Sequence, residues 1–163
     1  MPSRAQRLAA AVRARIPSDG PRATAALLMI SAPFDVLNMD WPDELAGILL
    51  LRHGRAVIGL NRSHSAARRH FSFWREVGHY LMHASRGAHA KLAMPAPCGG
   101  RDDSGREREA NIFAAHVLMP AAWVRRLHAE GLPDFVMARR FGVTPLALRR
   151  RLGELRLSAP GRV

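Results

Sequence analysis

Two short apolar runs, residues 47–51 (Gly-Ile-Leu-Leu-Leu) and 56–60 (Ala-Val-Ile-Gly-Leu), are separated only by Arg52-His53-Gly54-Arg55. Each is too short for a stable helix and is bounded by polar or turn-forming residues, so the pair reads as two buried strands joined through a glycine-containing turn. A lone hairpin is marginal in water and needs a cover. The remaining chain supplies one, because its apolar residues recur at helical spacing. Leu8, Val12 and Ile16 mark a first amphipathic helix, stopped by Pro17 and Ser18-Asp19-Gly20-Pro21. Residues 23–29 read as a second. After a polar connection at 61–66, Phe71, Trp74, Gly78, Leu81 and Met82 give residues 70–83 the pattern of a buried helix.

Residues 85–103 are rich in Gly, Ala, Pro and Ser and read as a long loop, a length usually reserved for function. Residues 106–119 return to helix, with Ala110, Phe113, Ala114, Val117 and Leu118 on one face and Pro120 as its stop. Residues 132–141 and 144–155 form a helix pair around Gly142, with Thr144 placed to cap and Pro145 at the first helical position. The expected architecture is α+β: a mainly helical single domain over residues 1–163, packed around a small antiparallel β-sheet.

Composition narrows the function classes. With 163 residues and 48% hydrophobic side chains the chain can close a core, which excludes disorder over most of its length. No apolar run approaches the roughly 18 residues needed to span a bilayer, and residues 1–16 lack the apolar stretch of a signal peptide, so the expected location is the cytoplasm, with no membrane partner. The single cysteine, Cys98, can make neither an internal disulfide nor a cysteine-based zinc cluster. A net charge of +12 raises nucleic acid as a partner. All the basic residues except Lys91 are arginine, however, a bias that a GC-rich coding sequence also produces.

The chemistry-bearing segment is Phe71-Ser-Phe-Trp-Arg-Glu-Val-Gly-His-Tyr-Leu-Met-His83. On a helix, Arg75 and His79 lie one turn apart on one face with Glu76 beside them. In zinc peptidases that arrangement is H-E-x-x-H, two imidazoles that hold the metal and a carboxylate that deprotonates its water. Here it is R-E-x-x-H. By itself the string reads more readily as a solvated Arg/Glu pair beside a core histidine.

Its surroundings resemble a known family. Phe71, Ser72, Glu76, Gly78, His79, Tyr80, Leu81 and His83 fall in register with the "RFTLAHELGHYLLH" segment of the ImmA/IrrE metallo-endopeptidases. Some thirty residues later, the string from Glu107 to Pro120 resembles that family's "EREANxFAAELLMP" helix. The hairpin and the Ala138-Arg-Arg-Phe-Gly-Val-Thr-Pro-Leu-Ala-Leu-Arg-Arg-Arg-Leu152 segment are similar too, so the resemblance covers most of residues 40–157, while residues 1–40 match only loosely. It implies a zincin-like domain with zinc as cofactor, His79 and Glu109 as metal ligands and Glu76 as catalytic general base. It also implies a protein substrate, typically a helix-turn-helix repressor encoded nearby in mobile elements or stress responses.

Arg75 departs from that pattern at the position of the first histidine ligand. A guanidinium has no lone pair and stays charged, so it cannot ligate zinc. Three groups could substitute: His83, four residues after His79; His116, seven after Glu109; and Cys98 in the 85–103 loop, although an unpaired cysteine is usually just a small apolar residue. His53, His64, His70, His89 and His128 have no partner spacing and read as surface or packing residues. Three functions therefore stand: a zinc metallo-endopeptidase acting on a transcriptional regulator; an inactive pseudo-peptidase that binds such a protein, with Arg75 paired to Glu109 or Glu76 in place of the metal; and a DNA-binding protein using residues 137–152 as a helix-turn-helix. In the last case Arg149, Arg150 and Arg151 would face DNA. If those helices close the core instead, Leu146, Leu148, Leu152 and Leu155 face inward and DNA binding is only weak and non-specific.

Overall fold

The computed structural model describes residues 1–16, 34–52, 55–84 and 103–157. The expected helix at 23–29, the loop with Cys98, and the hairpin residues His53 and Gly54 lie outside them. Helix α1 (Arg4–Ala14) starts at a capping box: Ser3 Oγ accepts from the Gln6 amide at 3.3 Å and Gln6 Oε1 accepts from the Ser3 amide at 2.7 Å. Its buried residues are the small Ala5 and Ala9, with Leu8 and Val12 partly covered at the sides.

Three strands follow, β1 (Phe34–Met39), β2 (Gly47–Arg52) and β3 (Arg55–Asn61). β2 and β3 make the expected antiparallel hairpin, Gly47 opposite Leu60 and Arg52 opposite Arg55. β1 adds to the other edge of β3 in parallel, Phe34 opposite Ala56 and Met39 opposite Asn61, so the order is β1-β3-β2 and the sheet is mixed. Asn61 holds the turn from β1 to β2. Its fully buried amide nitrogen lies 2.9 to 3.1 Å from the carbonyls of Trp41, Pro42 and Leu45. Trp41 lies over Gly59, where a Cβ would come within 2.5 Å of the indole, so only glycine permits this approach.

Helix α2 (Ala66–His79) is capped by Ser65, whose hydroxyl accepts from the Arg68 amide, and continues as a π-helical turn, Tyr80–Ala84. It packs along α3 (Asp103–Leu118). The two axes come close at Gly78, where a Cβ would stand 2.8 Å from the Phe113 ring. Trp74, Val77, Met82, Ala110, Phe113, Ala114 and Val117 form the centre of the core between them. Pro120 ends α3 as expected and also precedes a helix absent from the sequence reading, α4 (Ala121–Ala129).

The closing pair is α5 (Asp134–Phe141) and α6 (Pro145–Glu154). Gly142 joins them at φ 67°, the left-handed conformation that favours glycine, and Thr144 Oγ1 accepts from the Ala147 amide at 3.2 Å. Leu148 and Leu152 enter the core and Leu155 is partly buried. Leu146, expected inside with them, is 54% exposed. Arg151, expected on the solvated arginine face, is instead buried. Among the described residues no helix is long and apolar enough to cross a membrane.

Candidate functional site

The site lies along the contact of α2 with the first turns of α3. Phe73, Trp74, Val77 and Gly78 fix the rotation of α2 by facing the core, and Glu76 is carried in with them. Its side chain is only 6% exposed, which makes a counter-charge necessary. Arg75 supplies it: Nε and Nη2 both donate to Glu76 Oε1, at 3.1 and 2.7 Å, and Nη2 also reaches the Gly47 carbonyl at 3.4 Å. Gly47 opens β2 against this pair. A Cβ there would sit 3.3 Å from Glu76 Oε1.

Glu107 completes the cluster from α3. Its Oε1 lies 3.0 Å from His79 Nε2 and its Oε2 lies 3.9 Å from Arg75 Nη1. The hydrogen bond from His79, aided by the Arg75 charge and opposed by burial, holds the Glu107 carboxyl below the usual range. Glu109 meets a different histidine, with Oε2 3.7 Å from His83 Nε2. Burial, followed by the neighbouring His79, pushes the His83 imidazole below its ordinary value, and Glu109 opposes this. The His79 and His83 rings stand 5.6 Å apart. Two parallel pairs result, His79 with Glu107 and His83 with Glu109.

The geometry thus sets Glu107, not Glu109, against His79 and Arg75. Residues two apart on a helix project about 200° apart, so Glu107 and Glu109 leave α3 in different directions and pair with different histidines. Sequence reasoning named Glu107 within its string but gave it no role. Helical phase carried the missing signal: Glu107 is three residues before Ala110 and seven before Ala114, both fully buried, and so lies nearer the middle of the buried face than Glu109.

His116 belongs elsewhere. Its ring faces Arg151, with Nε2 2.8 Å from Nη1, and Gln6 Nε2 lies 3.4 Å from the same ring nitrogen. Arg151 also donates to the Met119 carbonyl and to Glu154, so it is a buried structural cation tying α6 to α3. Burial and the Arg151 charge lower the His116 imidazole to about 4. Two of the histidines read as packing residues do hold structure together. His70 Nδ1 lies 3.0 Å from the Gly142 carbonyl while its Nε2 accepts from Trp74, and His64 Nε2 lies 2.9 Å from the Asp43 carbonyl.

The chain matches the peptidase family described as the IrrE N-terminal-like domain over residues 25–153. It belongs to that family. Among solved structures it is similar to a Mycobacterium tuberculosis transcriptional regulator, with a TM-score of 0.56 and 18% identity over 91% of this chain. The chain spans 45% of that protein's length, so the likeness concerns the fold of one part of it. No protein of curated function matches the chain.

Zinc is the metal the family implies, and the donor set among the described residues does not fit it. A catalytic zinc site needs three lone-pair donors converging around an open position. Among the described residues no group of three or more His, Cys, Asp or Glu side chains is placed to hold a metal ion. At the first ligand position a permanent cation, Arg75, already occupies the oxygen of the expected general base.

Proposed function

We propose that this IrrE-type domain is a recognition module that holds a regulatory protein, a helix-turn-helix repressor in the family's manner, without hydrolysing it. The observation that carries this reading is the Arg75 guanidinium on Glu76 Oε1, at 2.7 Å. A general base must offer a lone pair to a reacting water, and two N–H donors already engage one of this carboxylate's two oxygens. The same guanidinium repels a second cation, so the pair keeps the fold of a zinc site while replacing the ion electrostatically.

Titration calorimetry with zinc tests the reading. The wild-type protein is expected to take up no stoichiometric zinc, and Arg75→His to bind measurably tighter, because it replaces the cation with an imidazole one turn before His79. Stoichiometric zinc on the wild type would overturn it.

A second reading, a zinc endopeptidase with a rearranged site, is favoured by the two histidine–carboxylate pairs. His79 and His83 have metal-binding spacing, and each faces a glutamate of α3 at 3.0 and 3.7 Å. This reading requires that zinc bind the wild type and that His83→Ala abolish it. For DNA recognition, Arg151 is already committed inside the protein, leaving Arg149 and Arg150 of that run on the surface.

A further inference from the structure

A cavity of about 280 Å³ opens between α2, α3 and α6, on the flank of α2 toward the closing helices. Four arginines line it, Arg68, Arg75, Arg150 and Arg151, against a single acid, Glu154. Arg75 is paired with Glu76, and Arg151 with Glu154. Arg68 and Arg150 are exposed, and among the described residues no carboxylate is paired with either. Like charges gathered around a concave wall repel, and an anion between them relieves that repulsion. The cavity is not wholly polar. Phe71 lines it, and so does Leu146, the core-phase leucine that the structure leaves 54% exposed.

We propose that this cavity is a binding site for a small carboxylate carried on an apolar stem, bordering the Glu76–His79–Glu107 cluster at Arg75 but otherwise lined by residues outside it. Guanidinium forks match a carboxylate in geometry and charge. Ser72 and Asn111 add a hydroxyl and an amide to the wall, while Phe71 and Leu146 take the stem. Size limits the ligand. The volume is just under the roughly 300 Å³ at which ligand pockets begin, which fits an organic acid of about ten non-hydrogen atoms. The same chemistry has two sources, a free organic acid or an acidic side chain presented by a protein.

Phenylacetate is the probe, titrated into the full chain and followed by amide chemical shifts, with phenylacetamide as its uncharged isostere and inorganic phosphate as an anion without a stem. Saturable shifts at residues 68–75 and 144–151 are expected with phenylacetate, and much weaker ones with the amide and with phosphate. Arg150→Gln and Arg68→Gln, both at exposed positions outside the Glu76 cluster, should each weaken phenylacetate about tenfold, the effect of losing one charge-assisted hydrogen bond. Competition by an acetylated Phe-Glu dipeptide amide would assign the site to a protein's acidic residue, and lack of competition to a free acid. Equal binding of phenylacetamide, equal binding of phosphate, or unchanged affinity in both variants would overturn the proposal.

Discussion

Arg75 folds back onto the residue that follows it, placing Nε and Nη2 on Glu76 Oε1 at 3.1 and 2.7 Å. Neighbours in a helix project about 100° apart and do not ordinarily face each other. The contact forms because Glu76 points toward the core and Arg75 lies at its edge, where Gly47 leaves room and a carbonyl.

Removing that cation should be costly. Arg75→Ala leaves a buried carboxylate without its counter-charge, and the loss expected for a well-buried pair is about 3 to 5 kcal/mol, toward the lower end here because Arg75 is 23% exposed. The loss should shrink in acid, where the unpaired carboxylate escapes by taking up a proton. Urea melts of wild type and variant at pH 7 and pH 5 measure both effects, and identical midpoints would remove Arg75 as a surrogate for the metal.

His116 sets a pH dependence whose sign is fixed. Its folded value of about 4 lies below the ordinary 6.5, so the unfolded chain binds the extra proton between these values. The contribution is complete above pH 6.5 and is lost as pH falls toward 4, amounting to about 1 to 2 kcal/mol once solvent screening of the half-buried ring is included. His116→Gln keeps an acceptor for Arg151 and removes the proton uptake. Its stability should therefore fall less steeply than wild type between pH 6.5 and pH 4, and parallel curves would contradict the assignment.

Gly78 sets how closely α2 approaches α3. Gly78→Ala gains about 1 kcal/mol of helix propensity but drives its methyl to 2.8 Å from a fully buried Phe113 ring. A net destabilisation of about 1 to 2 kcal/mol is expected. Combined with Phe113→Leu, which makes room, the two changes should cost less than their sum. A double-mutant cycle by thermal melts reads the coupling, and strict additivity would show that the helices are not limited by this contact.

Arg151 and its sequence neighbours should behave oppositely. Arg151→Ala strips His116, Glu154 and the Met119 carbonyl of a buried partner and should lower the melting temperature markedly, by several degrees. Arg149→Ala with Arg150→Ala should leave it nearly unchanged. The wild type should bind duplex DNA only weakly, without sequence preference, and less as salt rises. A sequence-specific complex lost in Arg150→Ala would reinstate the helix-turn-helix reading.

The hairpin and the helices that carry the two motif strings were legible because their signals are local, short apolar runs around a turn and helical spacing, and the closing pair was legible from Thr144 as a cap; the Ser65 cap of α2 appeared only in the structure. β1 was not, since its partner β3 is distant in sequence and the pairing is parallel, with no connecting turn to announce it. α4 was missed because a proline that stops one helix can equally precede the next. At the site, the sequence alone determined that Arg75 stands in a histidine's position and that no lone pair is available there. Only the tertiary structure decided which partners the charges take. Helix rotation and axial offset, set by contacts such as Gly78 on Phe113, brought Glu107 to His79 and Glu109 to His83. The same packing buried Arg151 out of a run of three arginines, because identical side chains on one helix differ only in what the fold places beside them.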